Sequence, residues 1–142
     1  MAVFYFHILL CIAVTAIIWF MQVVHYPLLP FVDAGQWNGF REKKRMQTIM
    51  ITYPLMAFEA LSGITLLLIA VQSPAYVPLA VSVLLLGVLH VFSFMYLQPL
   101  FKKIQSPADV VSIQKFKKIH WLRTIGWSIR LLILIGVILV SA

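Results

Sequence analysis

"YPLMAFEALSGITLLL", Tyr53 to Leu68, is apolar apart from a few hydroxyl groups and one carboxylate, Glu59, near its middle. Extended to Met50 and Val71, the stretch is long enough to cross a hydrocarbon core, which takes roughly 20 apolar residues in helical form. Three further runs of the same character occupy 3–24, 77–97 and 121–140. Of the 142 residues 63% are hydrophobic and only 11% charged, and the mean hydropathy is +1.01, far outside the range of a soluble domain. The expected fold is all-α: one domain over 1–142, an up-and-down, integral membrane four-helix bundle with spans at 3–24, 50–71, 77–97 and 121–140.

The net charge of +7 is strongly segregated. Arg41, Lys43, Lys44 and Arg45 lie between the first two runs, and Lys102, Lys103, Lys115, Lys117 and Lys118 between the last two. The connection "QSPAY" carries no charge. In an up-and-down bundle both basic segments share one side, so the positive-inside rule puts them in the cytoplasm and both termini outside. Such segments orient the chain and meet anionic headgroups; the lipid bilayer is the expected partner, and nucleic acid is not. No Lys or Arg precedes the first run, so it reads as a retained helix rather than a cleaved signal. The lone cysteine, Cys11, excludes an internal disulfide and any CxxC motif.

Helix starts are expected at Asp33, with Gln36 at capping-box spacing, and at Ser106, followed by Pro107 and Asp109. The second and fourth helices should therefore extend beyond their apolar runs. Trp37 and Phe40 would face the headgroup layer, and Pro54 would bend the second helix.

Charge inside a span is costly, about 2.5 to 3.5 kcal/mol at the bilayer centre, and is retained only where it is paired or used. Glu59, His90 and Arg130 fall at similar depth on the second, third and fourth helices, and each has a glycine one turn away, Gly63, Gly87 and Gly126. Close approach at these glycines would bring the three polar side chains together, with Glu59 offsetting Arg130. These three are the candidate catalytic residues. Alternatively they form a buried ion pair that only fixes helix register.

A second polar group lies nearer the basic side: Gln22 and His25 on the first helix, Gln98 on the third, and His120, Arg123 and Trp127 on the fourth. Gln22, His25, Gln98, Arg123 and Trp127 are candidate ligand-binding residues. Arg123 and Arg130 are seven residues apart and share a face that would line a path between the two groups. The competing reading is interfacial anchoring, with Arg123 snorkelling and the tryptophans in an aromatic belt. No two of the four histidines stand at i, i+3 or i+4, and no HExxH or CxxC occurs, so no metal site is expected.

With "YPLMAFE" and "HWLRTIGWSIR", the chain resembles a family of small, uncharacterised bacterial inner-membrane proteins of four helices. Its P-L-M-x-x-E and W-x-R-T-x-x-W-x-x-R elements match Pro54, Leu55, Met56 and Glu59, then Trp121, Arg123, Thr124, Trp127 and Arg130. The resemblance implies a multi-pass protein of the bacterial inner membrane and no particular activity. More distantly, "WFMQVVHYPLLPFV" and "LHVFSFMYLQPLFKKI" are similar to parts of the HemJ-type protoporphyrinogen oxidases, which implies a porphyrin-like ligand.

Two functions follow. In one, a membrane-embedded site binds a lipophilic substrate or redox cofactor of unknown identity, with Arg130 and Arg123 as anion or carbonyl anchors, Glu59 as proton acceptor and His90 as its proton partner. In the other, the protein is a non-enzymatic accessory subunit or a homo-oligomeric packing module. A transporter is disfavoured, because one four-helix chain without a repeat or broken helix has little room for alternating access.

Overall fold

The computed structural model describes residues 2–141. Four continuous helical segments fill it: α1, Ala2–Phe31; α2, Ala34–Ile69; α3, Tyr76–Lys102; and α4, Val110–Val140. Among the described residues there is no strand. Every segment is long and apolar enough to cross a membrane. α1 and α3 each pack on both α2 and α4, which closes the bundle.

One face of α1 explains its packing. His7, Cys11, Val14, Thr15, Ile18 and Gln22 recur at helical spacing and are all buried. The outward faces stay apolar, with Leu9, Leu84, Met95 and Leu132 each more than 60% exposed. The interior holds three apolar layers. Ile8, Cys11, Leu79 and Leu134 fill the end near the termini, and Val14, Ile18, Met56, Leu86, Leu89 and Trp127 fill the centre. Tyr26, Leu29, Trp37, Leu97, Ile104, Ile113 and Phe116 fill the opposite end. The basic segments collect at that end, where Arg41 Nη2 donates to the Lys102 carbonyl at 3.2 Å and Gln22 Nε2 to the Lys117 carbonyl at 3.3 Å.

Three of the four segments carry a one-turn π-helix immediately before an X-Pro pair. The π turns are Met21–His25, Thr48–Thr52 and Ser93–Leu97, followed by Tyr26-Pro27, Tyr53-Pro54 and Gln98-Pro99. In each, the residue before the proline donates its N–H five residues back, to Met21, Thr48 or Ser93. The wider turn relieves the clash between a proline ring and the carbonyl four residues before it. At the start of two of these turns a hydroxyl adds a second bond to a carbonyl that its own backbone N–H already meets: Thr48 Oγ1 donates to Lys44 O at 3.0 Å and Ser93 Oγ to Leu89 O at 2.6 Å. Pro54, where a bend was expected, is thus one of three prolines preceded by such a turn.

The helix starts differ from the expected ones in detail. Asp33 accepts from Gly35 N at 2.6 Å and caps a short 3₁₀ turn, Ala34–Gln36, so the reciprocal bond of a capping box with Gln36 is not made. At α4 the cap is Asp109, which accepts from Ser112 N at 3.1 Å; Ser106 instead receives Ala108 N at 3.2 Å in the preceding turn. Those bonds from Ser112, through its hydroxyl and its backbone N–H, hold the Asp109 carboxyl below its usual range. Trp37 does not face outward: it is 2% exposed, stacks on Phe40 and donates Nε1 to Ile104 O at 3.4 Å. It pins the start of α2 beneath the α3–α4 connection.

Only two of the three glycines mark close approach. A Cβ on Gly63 would lie 3.1 Å from His7 Cε1 and 3.2 Å from Val83 Cγ2, and one on Gly126 would lie 2.6 Å from Leu89 Cδ2. Gly87 has nothing within 4 Å. It faces the bundle exterior, so it draws no helix toward its neighbour.

Candidate functional site

The central polar layer is built on Arg130. Its Nη1 donates to Glu59 Oε1 at 2.6 Å with both side chains fully buried, and its Nε donates to Ser82 O at 3.0 Å. Its Nη2 makes a long contact, 3.5 Å, to His7 Nε2. Arginine has only donors, so His7 Nε2 accepts, and the ring proton sits on Nδ1. That proton meets Ser62 Oγ at 2.8 Å, and Ser62 donates to the Glu59 carbonyl at 3.0 Å. A closed chain therefore runs from Arg130 through His7 and Ser62 back to the backbone of Glu59. It ties α1, α2, α3 and α4 at one level.

His90 is not part of that chain. Its Nδ1 bonds to Leu86 O at 2.8 Å on its own helix, and its ring lies 5.7 Å from that of Trp127. The buried face of α3 is instead set by Ser82, Leu86, Leu89 and Ser93, three or four residues apart, which leaves His90 half-buried beside that stripe. His7 occupies the place that His90 was expected to fill. It lies near the start of α1 and packs against Ser62 and Gly63, three and four residues after Glu59. A polar and small stripe, His7, Cys11 and Thr15, was the available signal on α1.

The second polar group surrounds a cavity of about 920 Å³ between the helices toward the basic end. His25, Gln98 and Arg123 line it, together with Tyr26, Lys44, Tyr53 and His120. The π turns aim three of these: Tyr26, Tyr53 and Gln98 are the three residues that precede the prolines. Gln98 Nε2 bonds to the Tyr53 hydroxyl, which joins α3 to α2 at the wall. Gln22 does not line the cavity; it stands behind it, with Oε1 2.6 Å from His120 Nδ1. Because Gln22 Nε2 is committed to Lys117 O, Oε1 is the atom facing His120, and Nδ1 must donate.

Basic groups dominate this wall: Arg41, Lys44, Arg45, Lys102 and Arg123 line it against one acid, Glu42, and Lys44 and Arg123 are the two that reach furthest among the aromatic rings. Lys44 Nζ sits 3.5 Å from the Phe101 ring centroid and 5.1 Å from that of Tyr26. Arg123 lies 5.3 Å from the Trp127 ring and reaches Met56 Sδ at 3.8 Å. Neither is in an ion pair: among the described residues the ion pairs are Arg130 with Glu59 and, on the surface, Arg45 with Glu42. Aromatic faces attract cations but supply no full counter-charge. Trp127 is fully buried in the central apolar layer together with Met56, which also lines the cavity, and Arg123 borders the cavity whereas Arg130 does not. Glu59, His90 and Arg130 do not line the cavity. No group of three or more metal-ligating side chains occurs among the described residues.

Fold and site together define an all-helical bundle of four membrane-length helices with one paired polar layer and one cationic, aromatic cavity. Comparison with protein-family models, with curated proteins and with solved structures finds no match to this chain.

Proposed function

We propose that the chain is a multi-pass membrane protein, its basic end in the cytoplasm and its termini outside, that binds a lipophilic anion in the cavity lined by Lys44 and Arg123. One observation carries this reading: Lys44 and Arg123, on different helices, face a partly apolar cavity without a carboxylate partner, in a lining that also holds Arg41, Arg45 and Lys102 against a single acid, Glu42, which Arg45 engages. Like charges held at the edge of a low-dielectric region repel each other, and an anion bound between them removes that cost. The apolar lining, from Ile17, Phe20, Ile51 and Phe94, suits a hydrocarbon tail or a large ring. A membrane lipid and a porphyrin-like redox cofactor with carboxylate arms both belong to the class.

In this reading the Glu59, His7 and Arg130 layer holds the bundle together. The alternative of a pure packing module accounts equally for that layer, since Arg130 is paired there, but gives no role to the unpaired cations of the cavity. Solvent extraction and mass spectrometry of the purified chain, with its absorption spectrum, test the proposal. An anionic amphiphile should co-purify and be lost from the Lys44→Gln/Arg123→Gln variant; equal retention by both proteins overturns the reading. Reporter fusions at both termini test the orientation, which a cytoplasmic carboxyl terminus would refute.

A further inference from the structure

His120 narrows the ligand class. Its side chain is 1% exposed, it lines the cavity, and its Nε2 has no hydrogen-bond partner. The bond from Nδ1 to Gln22 fixes the neutral ring in the tautomer whose Nε2 is a bare acceptor. An unmatched acceptor this deeply buried calls for a donor. The cavity therefore combines cations that want negative oxygen with a nitrogen that wants O–H; a second buried ring nitrogen on its lining, His25 Nε2, also has no partner.

We infer that the head of the ligand is a lipid phosphomonoester, whose anionic oxygens meet Arg123 and Lys44 while its P–O–H meets His120 Nε2. This rests on the reading of the cavity as a lipophilic-anion site. A phosphomonoester carries about −1.5 to −2 charges near neutral pH, so it suits a strongly basic lining and its monoanion is populated beside the dianion. Its monoanion also retains one O–H on phosphorus. A phosphodiester has none, so it satisfies the cations and leaves His120 unmatched. Whether the shared proton rests on phosphate or imidazole, the total charge of the complex is the same. Tails leave between the helices past Phe20, Ile51 and Phe94, each exposed on the outer surface.

Native mass spectrometry of the full chain in detergent tests this by titration with dioleoylphosphatidic acid, dioleoylphosphatidylmethanol, dioleoylphosphatidylcholine and inorganic phosphate. The first two lipids differ by one methyl on the phosphate. The monoester should bind about tenfold more tightly than the methyl diester, the worth of one hydrogen bond involving a charged group. His120→Phe, which keeps a ring there and removes the acceptor, should bring monoester binding down to that of the diester; weakening of both lipids alike would mark a purely structural role for His120 and refute the inference. Should His120→Phe fail to fold, Gln22→Leu, which frees the tautomer, must reduce the same preference. Equal binding of monoester and diester, each above phosphatidylcholine, overturns the phosphomonoester assignment and leaves the anion site standing. Binding of neither above phosphatidylcholine overturns the anion site itself. Displacement of bound phosphatidic acid by inorganic phosphate at equal concentration would assign the site to free phosphate and refute the lipid.

Discussion

Arg130 and Glu59 meet at 2.6 Å, 71 residues apart in sequence, with neither side chain exposed. A pair so enclosed is worth little compared with two apolar residues, yet breaking it is expensive, because the surviving charge has nothing to solvate it. Glu59→Gln should destabilise the protein by about 3 to 5 kcal/mol, and adding Arg130→Met should recover most of the loss. Thermal unfolding in detergent across the double-mutant cycle measures the coupling. Additive effects would mean that the two positions act independently.

The two histidines of the bundle's middle should separate in the same assay. His7 links Arg130 to Ser62, so His7→Ala removes one partner from a buried guanidinium group that keeps Glu59 and Ser82 O, and one from a hydroxyl that keeps the Glu59 carbonyl, at about 1 to 3 kcal/mol. His90 bonds only within its own helix and is half-buried, so His90→Ala should be the milder change. A larger loss at His90 than at His7 would contradict the described chain of hydrogen bonds.

Glycine substitutions should report which helix faces are in contact. Gly63→Ala pushes on a His7 ring held at both nitrogens, and should cost about 1 to 3 kcal/mol. Gly87→Ala meets open space and should stabilise the helix by up to about 1 kcal/mol. Equal shifts in melting temperature for the two variants would show that α2 does not approach α1 at Gly63.

Asp109 gives a pH-dependent contribution at the start of α4. Its folded carboxyl titrates below the ordinary value of 3.8 because of the bonds from Ser112. The stabilisation is therefore fully present above that value and is lost as pH falls through the lowered folded one. The melting-temperature gap between the native chain and Asp109→Ala should be constant at neutral pH and shrink in acid. A gap independent of pH would show that the cap does not depend on the ionised carboxylate.

The four helices were legible because an apolar run of membrane length has few other readings, and the partnership of Glu59 with Arg130 because neither charge tolerates isolation among apolar residues. His7 and His90 were exchanged for a physical reason. Depth counted along straight spans ignores which face each residue occupies, and Ser82, Leu86 and Leu89, not His90, set the inward face of α3. The cavity was only half legible: Arg123, His25 and Gln98 were visible as a group, whereas Lys44 read as part of a solvated basic run. The extension of α2 from near Asp33 was expected, but nothing in the local sequence says that it carries Lys44 against Phe101 and Tyr26.

The π turns make each of three helices a splice of two segments whose phases do not match. One extra residue in a helix offsets everything beyond it by about 100°, since an α-helix turns through 3.6 residues. A single-residue deletion inside Met21–His25, Thr48–Thr52 or Ser93–Leu97 would thus preserve composition and span length while swinging Tyr26, Tyr53 or Gln98 off the cavity wall. Around these prolines, drift in the number of residues is more damaging than drift in their identity, and a helical wheel drawn across any of them mixes two different faces.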